Sequence, residues 1–261
     1  MEVIIRETEQ IASDMVAEIL CEQVRKHHDT VLGLATGRTM ERVYSRVAEI
    51  HKKENVDFLH TKTFNLDEYV GLSPENKNSY RYYMNELLFD QINIDLRNTY
   101  LPNGMANDFE VECKKYEETI KNVGGIDLQL LGIGESGHIG FNEPLSAFRS
   151  RTRVKPLTPT TVAQNSPLFD NPEDMPKRAI SMGIGTILDA KRIVMLVTGE
   201  KKADVLAKAV EGPVTAMISA TALQLHAKCV VIVDEAAATK LQGKDYYHWI
   251  FQNEPEWESF R

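Results

Sequence analysis

The chain alternates short apolar runs with longer amphipathic stretches. Val3–Ile5, Val31–Ala35, Thr61–Leu66, Leu128–Leu131, Ala179–Met182, Arg192–Val197 and Lys228–Val233 are compact apolar segments with little polar alternation. Such runs are the mark of strands covered on both faces. Between them the apolar period lengthens to that of a helix. Ile11, Met15, Ile19 and Val24 line one side of Glu7–His28, and Val43, Val47 and Ile50 do the same over Met40–Lys53. Helices are also predicted over Asn76–Asp90, Asp108–Asn122 (stopped by Gly124-Gly125), Gly185–Asp189, from Thr198–Lys202 to about Val210, and over Ala216–Leu225. Asn98–Leu101 reads as a short strand, Thr152–Leu157 as an edge strand or hairpin arm, and Thr158–Phe169 as a polar helix ended by Pro167. The strand–helix alternation predicts an α/β fold, a doubly wound, mostly parallel sheet with helices on both faces, in a single domain spanning 1–261.

Four predicted strands end in polar clusters: Thr36-Gly37-Arg38-Thr39, Asp67-Glu68-Tyr69, the turn Gly134–His138, and Thr198–Lys202. In a parallel sheet these ends share one edge, where ligands of open α/β sheets bind. The densest cluster lies in Leu130–Pro144. An apolar strand breaks at Gly132, Gly134 and Gly137 and then delivers His138, Asn142 and Glu143.

Composition narrows the partners. Of 261 residues 43% are hydrophobic and 26% charged, as in ordinary globular chains, and the net charge of −8 disfavours a nucleic-acid partner. It leaves room for a small anion in one local basic pocket. Cys21, Cys113 and Cys229 are far apart and odd in number, which disfavours a disulfide framework or a cysteine zinc site. Met1–Arg6 is too short and charged for a secretory leader, so a cytoplasmic location is expected, and no apolar run reaches the roughly 20 residues of a membrane helix.

Each cluster admits a plain reading and a chemical one. Thr36–Thr39 either forms an anion-binding loop at a helix N-terminus or is an ordinary turn with Thr39 as helix cap. The spacing matches neither a Walker loop nor a dinucleotide fingerprint. Lys202 is a phosphate-binding cation or a solvated lysine one turn into its helix, with Lys201 as competitor. Asp67 and Glu68 offer a general base for a carbon acid, or a cap for the next segment. Glu143 can orient and polarise His138 as an acid–base pair. No H-E-x-x-H or second nearby histidine suggests a metal, and no G-x-S-x-G suggests a serine hydrolase.

Thr63–Leu72 (TFNLDEYVGL) and Gly132–Pro144 (GIGESGHIGFNEP) together closely resemble the glucosamine-6-phosphate deaminase (isomerase) family. Leu32–Thr39, Ser150–Lys155, Gly183–Asp189, Val210–Gly212 and Leu223–His226 extend the similarity over about Val31–Glu235. The resemblance implies conversion of glucosamine 6-phosphate and water to fructose 6-phosphate and ammonia, without metal or redox cofactor. It implies His138 and Glu143 in ring opening, Asp67 in moving the C2 proton to C1, and Thr36, Gly37, Arg38, Thr39 and Lys202 around the phosphate. Some relatives are hexamers activated by N-acetylglucosamine 6-phosphate. Ser146, Arg153 and Lys155 match that allosteric site, so a homo-oligomer is compatible with the resemblance, while Pro156 replaces its usual Thr.

The chain departs from the family in two catalytic places. Ser136 stands where relatives carry Asp or Asn beside the histidine. Pro167 stands where many carry an arginine that grips the phosphate. Arg38, where relatives usually have Gly or Ser, offers a cation from the opposite loop. These departures leave three rivals open: an enzyme for another hexosamine 6-phosphate, a hydrolase like 6-phosphogluconolactonase, which shares the fold, and an impaired sugar-phosphate sensor.

Overall fold

A computed structural model describes residues 1–261. From the N-terminus the elements are β1 (Glu2–Arg6), α1 (Glu9–Lys26), β2 (Val31–Leu34), α2 (Arg38–Glu54), β3 (Lys62–Asn65), β4 (Asp67–Tyr69), α3 (Tyr80–Leu87), β5 (Thr99–Tyr100) and α4 (Phe109–Asn122). They continue with β6 (Leu128–Leu131), β7 (Arg153–Pro156), α5 (Pro159–Asn165), β8 (Arg178–Ser181), α6 (Ile184–Leu188), β9 (Arg192–Val197), α7 (Ala203–Val210), β10 (Cys229–Asp234) and α8 (Lys244–Asn253).

Seven strands form one parallel sheet in the order β1-β10-β9-β6-β2-β3-β5. The chain steps one way across it through α1 and α2, and the other way through α4 and α7. Right-handed crossovers of opposite direction put those helix pairs on opposite faces, as the expected doubly wound fold requires. The direction reverses between β2 and β6, which lie side by side with Leu32 against Leu128. The crevice beyond their carboxyl ends is the switch point where such folds bind ligands.

The core forms between sheet and helices. β10 and β9 are buried almost throughout, and Phe64 of β3 stacks on Tyr100 at 4.6 Å while meeting Tyr116 of α4 edge-on. Asp127 fastens the start of this sheet, because its carboxylate accepts from the Val31 amide at 2.7 Å and from Lys191 at 2.6 Å.

Some predicted elements change character. Thr152–Leu157 and Ala179–Met182 stay outside the parallel sheet. Their strands β7 and β8 pair antiparallel with each other, and β8 pairs with β4 to complete a small second sheet. The Asp67–Tyr69 cluster is therefore itself a strand. It leaves the main sheet after Asn65 because it has new backbone partners in β8. The helix expected from Asn76 starts only at Tyr80, after the Ser79 hydroxyl caps the Tyr82 amide. Ala216–Leu225 is not an α-helix, and its second half, Ser219–Leu225, is a 3-10 segment. Thr158–Phe169 divides into α5, with Thr158 as its cap and Pro159 at its first turn, and a tighter turn at Ser166–Leu168. A second apolar cluster of Tyr69, Phe141, Leu157, Phe169, Met175 and Ala179 lies under this segment.

Candidate active site

The four polar clusters fall on neighbouring strands. Asp67 follows β3, Thr36–Thr39 follow β2, the glycine-rich turn follows β6, and Lys202 follows β9; these four strands are adjacent in the sheet. The shared edge expected from the sequence is thus one continuous rim around the switch point.

Asp67 and Glu68 part company at the end of β3. Glu68 is buried, and its carboxylate accepts from the Tyr69, Tyr80 and Arg81 amides at 2.8, 3.0 and 2.9 Å, so it caps α3 across the chain. Burial pushes its pKa up, and those three amides oppose that push. Asp67 is equally buried, at 6% exposure, yet no protein group donates to its carboxylate. Burial first, and the neighbouring Glu68 charge second, push its pKa up to about 8. The capping alternative therefore belongs to Glu68, and Asp67 is left free for chemistry.

The turn after β6 is built around close approaches. Gly134 lies under the His138 imidazole, where a Cβ would come within 2.1 Å of Nε2. Its amide closes the turn on the His138 carbonyl at 2.9 Å. Gly140, at φ +53°, runs beside Asp67, since a Cβ there would meet Asp67 Oδ2 at 3.5 Å and Ser181 Oγ at 3.0 Å. The same Ser181 hydroxyl accepts from the Phe141 amide at 2.9 Å, and the Asn142 amide donates to the Ile139 and Met182 carbonyls. Strand β8 thus pulls the histidine loop against Asp67. Local sequence gave no signal for that role of Ser181, which depends on the second sheet.

His138 Nδ1 lies 2.8 Å from Ser136 Oγ and 3.3 Å from Glu143 Oε2, and Ser136 donates to Glu143 at 3.5 Å. Serine therefore keeps the hydrogen-bonded link between imidazole and carboxylate, without adding a charge. Glu143 Oε1 accepts from the Thr158 hydroxyl at 3.1 Å and from the Thr161 hydroxyl. Burial pushes the Glu143 carboxyl up, but the bonds from His138 and Thr161, the His138 charge and Thr158 outweigh it and bring the pKa down to about 2. An ionised carboxylate only accepts. The chain of bonds thus runs from Nδ1–H to Ser136 and from Ser136 to Glu143, leaving the Nε2 lone pair free. Thr158 and Thr161 were not picked out from sequence. The Thr158-Pro159 cap signature would have located their helix, but not the carboxylate it meets.

The loop after β2 also resolves. The cap of α2 is Gly37, at φ +113°, and no side chain caps the helix. Thr39 is therefore not the cap, and the leading amides of α2 are open to an anion. Tyr83 donates to the Gly37 carbonyl at 2.8 Å, fixing the loop. Arg38 is exposed and has no carboxylate partner within ion-pair distance. Lys202 precedes α7 directly, as its cap residue, rather than sitting one turn inside it. Lys201 is exposed, whereas Lys202 is partly buried; burial lowers its pKa and the nearby Glu135 charge raises it. Asp234 holds the preceding turn by accepting from Gly199 at 3.0 Å and from Ala237 at 2.8 Å. Pro167 is exposed in the turn after α5 and donates nothing.

The three residues matched to an effector site begin beside the acid–base turn, since the Ser146 amide donates to the Glu143 carbonyl at 3.1 Å. Arg153 donates to the buried Ser146 hydroxyl at 3.3 Å, and Lys155 follows two residues along β7 on the same side of the strand.

Sheet order agrees with comparison to known proteins. Residues 6–232 match the family described as glucosamine-6-phosphate isomerases/6-phosphogluconolactonase, and the chain belongs to that family. Within it, the chain is 49% identical over 250 residues to a glucosamine-6-phosphate deaminase of Shewanella woodyi, covering 96% of this chain and 95% of the relative. It is 47% identical to one of Clostridium botulinum, covering 94% and 100%. The solved structure of a monomeric glucosamine-6-phosphate deaminase superposes with a TM-score of 0.90 at 42% identity, covering 92% of this chain and all of that one. A 6-phosphogluconolactonase from Leishmania guyanensis shares the fold at a TM-score of 0.69 and 20% identity, covering 90% of this chain and 97% of its own.

Proposed function

We propose that the protein is a glucosamine-6-phosphate deaminase, an enzyme that converts glucosamine 6-phosphate and water to fructose 6-phosphate and ammonia, with the whole chain, 1–261, as its catalytic domain. The observation that carries this reading is the meeting of the His138–Ser136–Glu143 chain with an unpartnered, buried Asp67 across Gly140.

The chemistry follows from these groups. His138 Nε2 takes the proton of the anomeric hydroxyl while the ring oxygen gains one, and the C1–O5 bond breaks to an open aldehyde. Glu143, through Ser136, stabilises the imidazolium formed on the way. Asp67 then removes the C2 proton, giving an enol that bears the amine at C2, and returns it to C1. The C2 iminium left behind adds water and expels ammonia, leaving the ketose. Each positioned acid–base group contributes roughly 10²–10⁴-fold. The phosphate sits on the open amides of α2, with Thr36, Gly37, Arg38, Thr39 and Lys202 around it, and its binding energy positions C1 and C2. The sugar phosphate is the only partner this scheme requires.

Ammonia release measured across glucosamine 6-phosphate, galactosamine 6-phosphate and their N-acetylated forms tests the reading. Turnover of glucosamine 6-phosphate is expected, with loss of about 10²-fold or more in Asp67→Asn. Equal activity in that variant would remove Asp67 from its role, and turnover of 6-phosphogluconolactone alone would make the protein a lactonase. Location and assembly belong to the same proposal. No helix is long and apolar enough to cross a membrane, and the three buried, unpaired cysteines fit a reducing cytoplasm. Of the two assembly states, the relative at 0.90 TM-score is described as monomeric. Light scattering giving the mass of one chain would retire the homo-oligomer expectation. Activation by N-acetylglucosamine 6-phosphate that is lost in Arg153→Ala would support an effector site at Ser146, Arg153 and Lys155.

A further inference from the structure

Glu143 is held from two sides, and only one of them belongs to its own loop. Oxygen Oε2 faces Ser136 and His138. Oxygen Oε1 accepts from two hydroxyls of a different element, Thr158 at the start of α5 and Thr161 one turn on. Thr161 is 2% exposed, and its hydroxyl reaches nothing but Glu143 and Thr158. Thr158 serves twice, since its oxygen also caps the Thr161 amide. The segment carrying them rests on the small apolar cluster of Tyr69, Phe141, Leu157, Phe169 and Met175, and Asn165 donates to the Tyr69 hydroxyl at 3.3 Å. Cluster and segment therefore meet the reacting groups at the same place.

We propose that Thr161, with Thr158, is a positioning residue for the ring-opening pair: the two hydroxyls hold one oxygen of Glu143 so that the other faces Ser136 and His138, and the pair is assembled only while segment 158–169 is seated. The inference rests on the reading of His138 and Glu143 given under Proposed function. An isosteric valine in place of Thr161 would keep the packing and remove the donor, leaving Glu143 with one fewer bond to fix its rotamer and its charge. His138 is the one titratable group facing Glu143, and α5 brings it only hydroxyls. Without that donor Glu143 is free to turn away from Ser136 and His138, and the imidazolium formed in ring opening loses its counter-charge.

The test compares Thr161→Val, Thr161→Ser, Glu143→Gln and the Thr161→Val/Glu143→Gln double variant, with Thr158→Val as the second removal should Thr161→Val fold poorly. Thr161→Val is expected to lower kcat about 10- to 100-fold, with KM within about twofold. Serine should restore kcat. In the Glu143→Gln background the valine should add almost nothing, because both changes act through the same carboxylate. A wild-type kcat in Thr161→Val, a loss carried by KM rather than kcat, or additive losses in the double variant would each overturn the inference. Full activity in Glu143→Gln would instead overturn the assignment of the carboxylate itself.

Discussion

Asp67 shows how two adjacent carboxylates acquire different work. Three amides satisfy Glu68, while Asp67 is buried against Gly140 with nothing donating to it and a pKa near 8. In the unfolded chain an aspartate titrates near 3.9. The folded state therefore binds the proton more tightly, and stability falls as pH rises between these two values, because folding must then keep a charge out of water. Asp67→Asn is expected to abolish turnover yet to raise Tm at pH 7–8, with the difference closing below about pH 4; thermal melts across pH read this directly. In the native enzyme, kcat/KM should climb up to about pH 8 as the base ionises. A rate already at its plateau at pH 6 would contradict that assignment. The motif offers both acids as a base or as a cap, and the family resemblance names Asp67; that Glu68 is the one that caps follows from the position of α3, whose amides lie 12 and 13 residues away from it.

At the scale of elements, the loops matter through the ends they expose. Helix α2 begins at Arg38 with no side-chain cap, so its dipole and first amides are available to the phosphate. Arg38 adds an unpaired cation at that end, and Pro167 adds none from α5's side. Arg38→Ala is expected to raise KM for the sugar phosphate about tenfold, the loss of one charge-assisted bond, with kcat little changed; an unchanged KM would sink the role. Most elements were legible from periodicity, because each strand of the parallel sheet is an apolar run and each helix an apolar stripe. The second sheet was not. β4, β7 and β8 are short and carry polar residues, and the β4–β8 pairing joins residues more than 100 positions apart, as Asp67 with Ser181 shows. Local pattern holds no record of such partners.

Across the whole molecule, two apolar clusters divide stability from activity. The large one runs between the parallel sheet and its helices and includes Phe64; the small one underlies segment 158–169 and includes Met175. Phe64→Ala should cost about 3–5 kcal/mol of global stability. Met175→Ala should lower activity severalfold with a much smaller change in Tm, because its cluster packs segment 158–169 and is separate from the core that holds the sheet. Calorimetry beside kinetics separates the two, and equal Tm losses would show that the clusters melt as one. The ion pairs between α1 and α2, Arg25 with Glu54, Arg42 with Asp14 and Arg46 with Glu18, are partly exposed and contribute little to either property.

The amino-acid sequence by itself determined the parallel α/β sheet and the edge on which the polar clusters lie, and it named His138, Glu143 and Asp67 as the candidate set. Hydrophobic period and glycine-rich strand ends are local properties, and they need no partner to be read. Only the tertiary structure decided that Glu68 caps and Asp67 stays free, that Lys202 and not Lys201 turns inward, that Ser136 preserves the link from His138 to Glu143, and that Thr158 and Thr161 complete it. The bonds to Glu68 and Glu143 depend on groups 12 to 18 residues away reaching a buried carboxylate, a fact that exists only once the chain has folded.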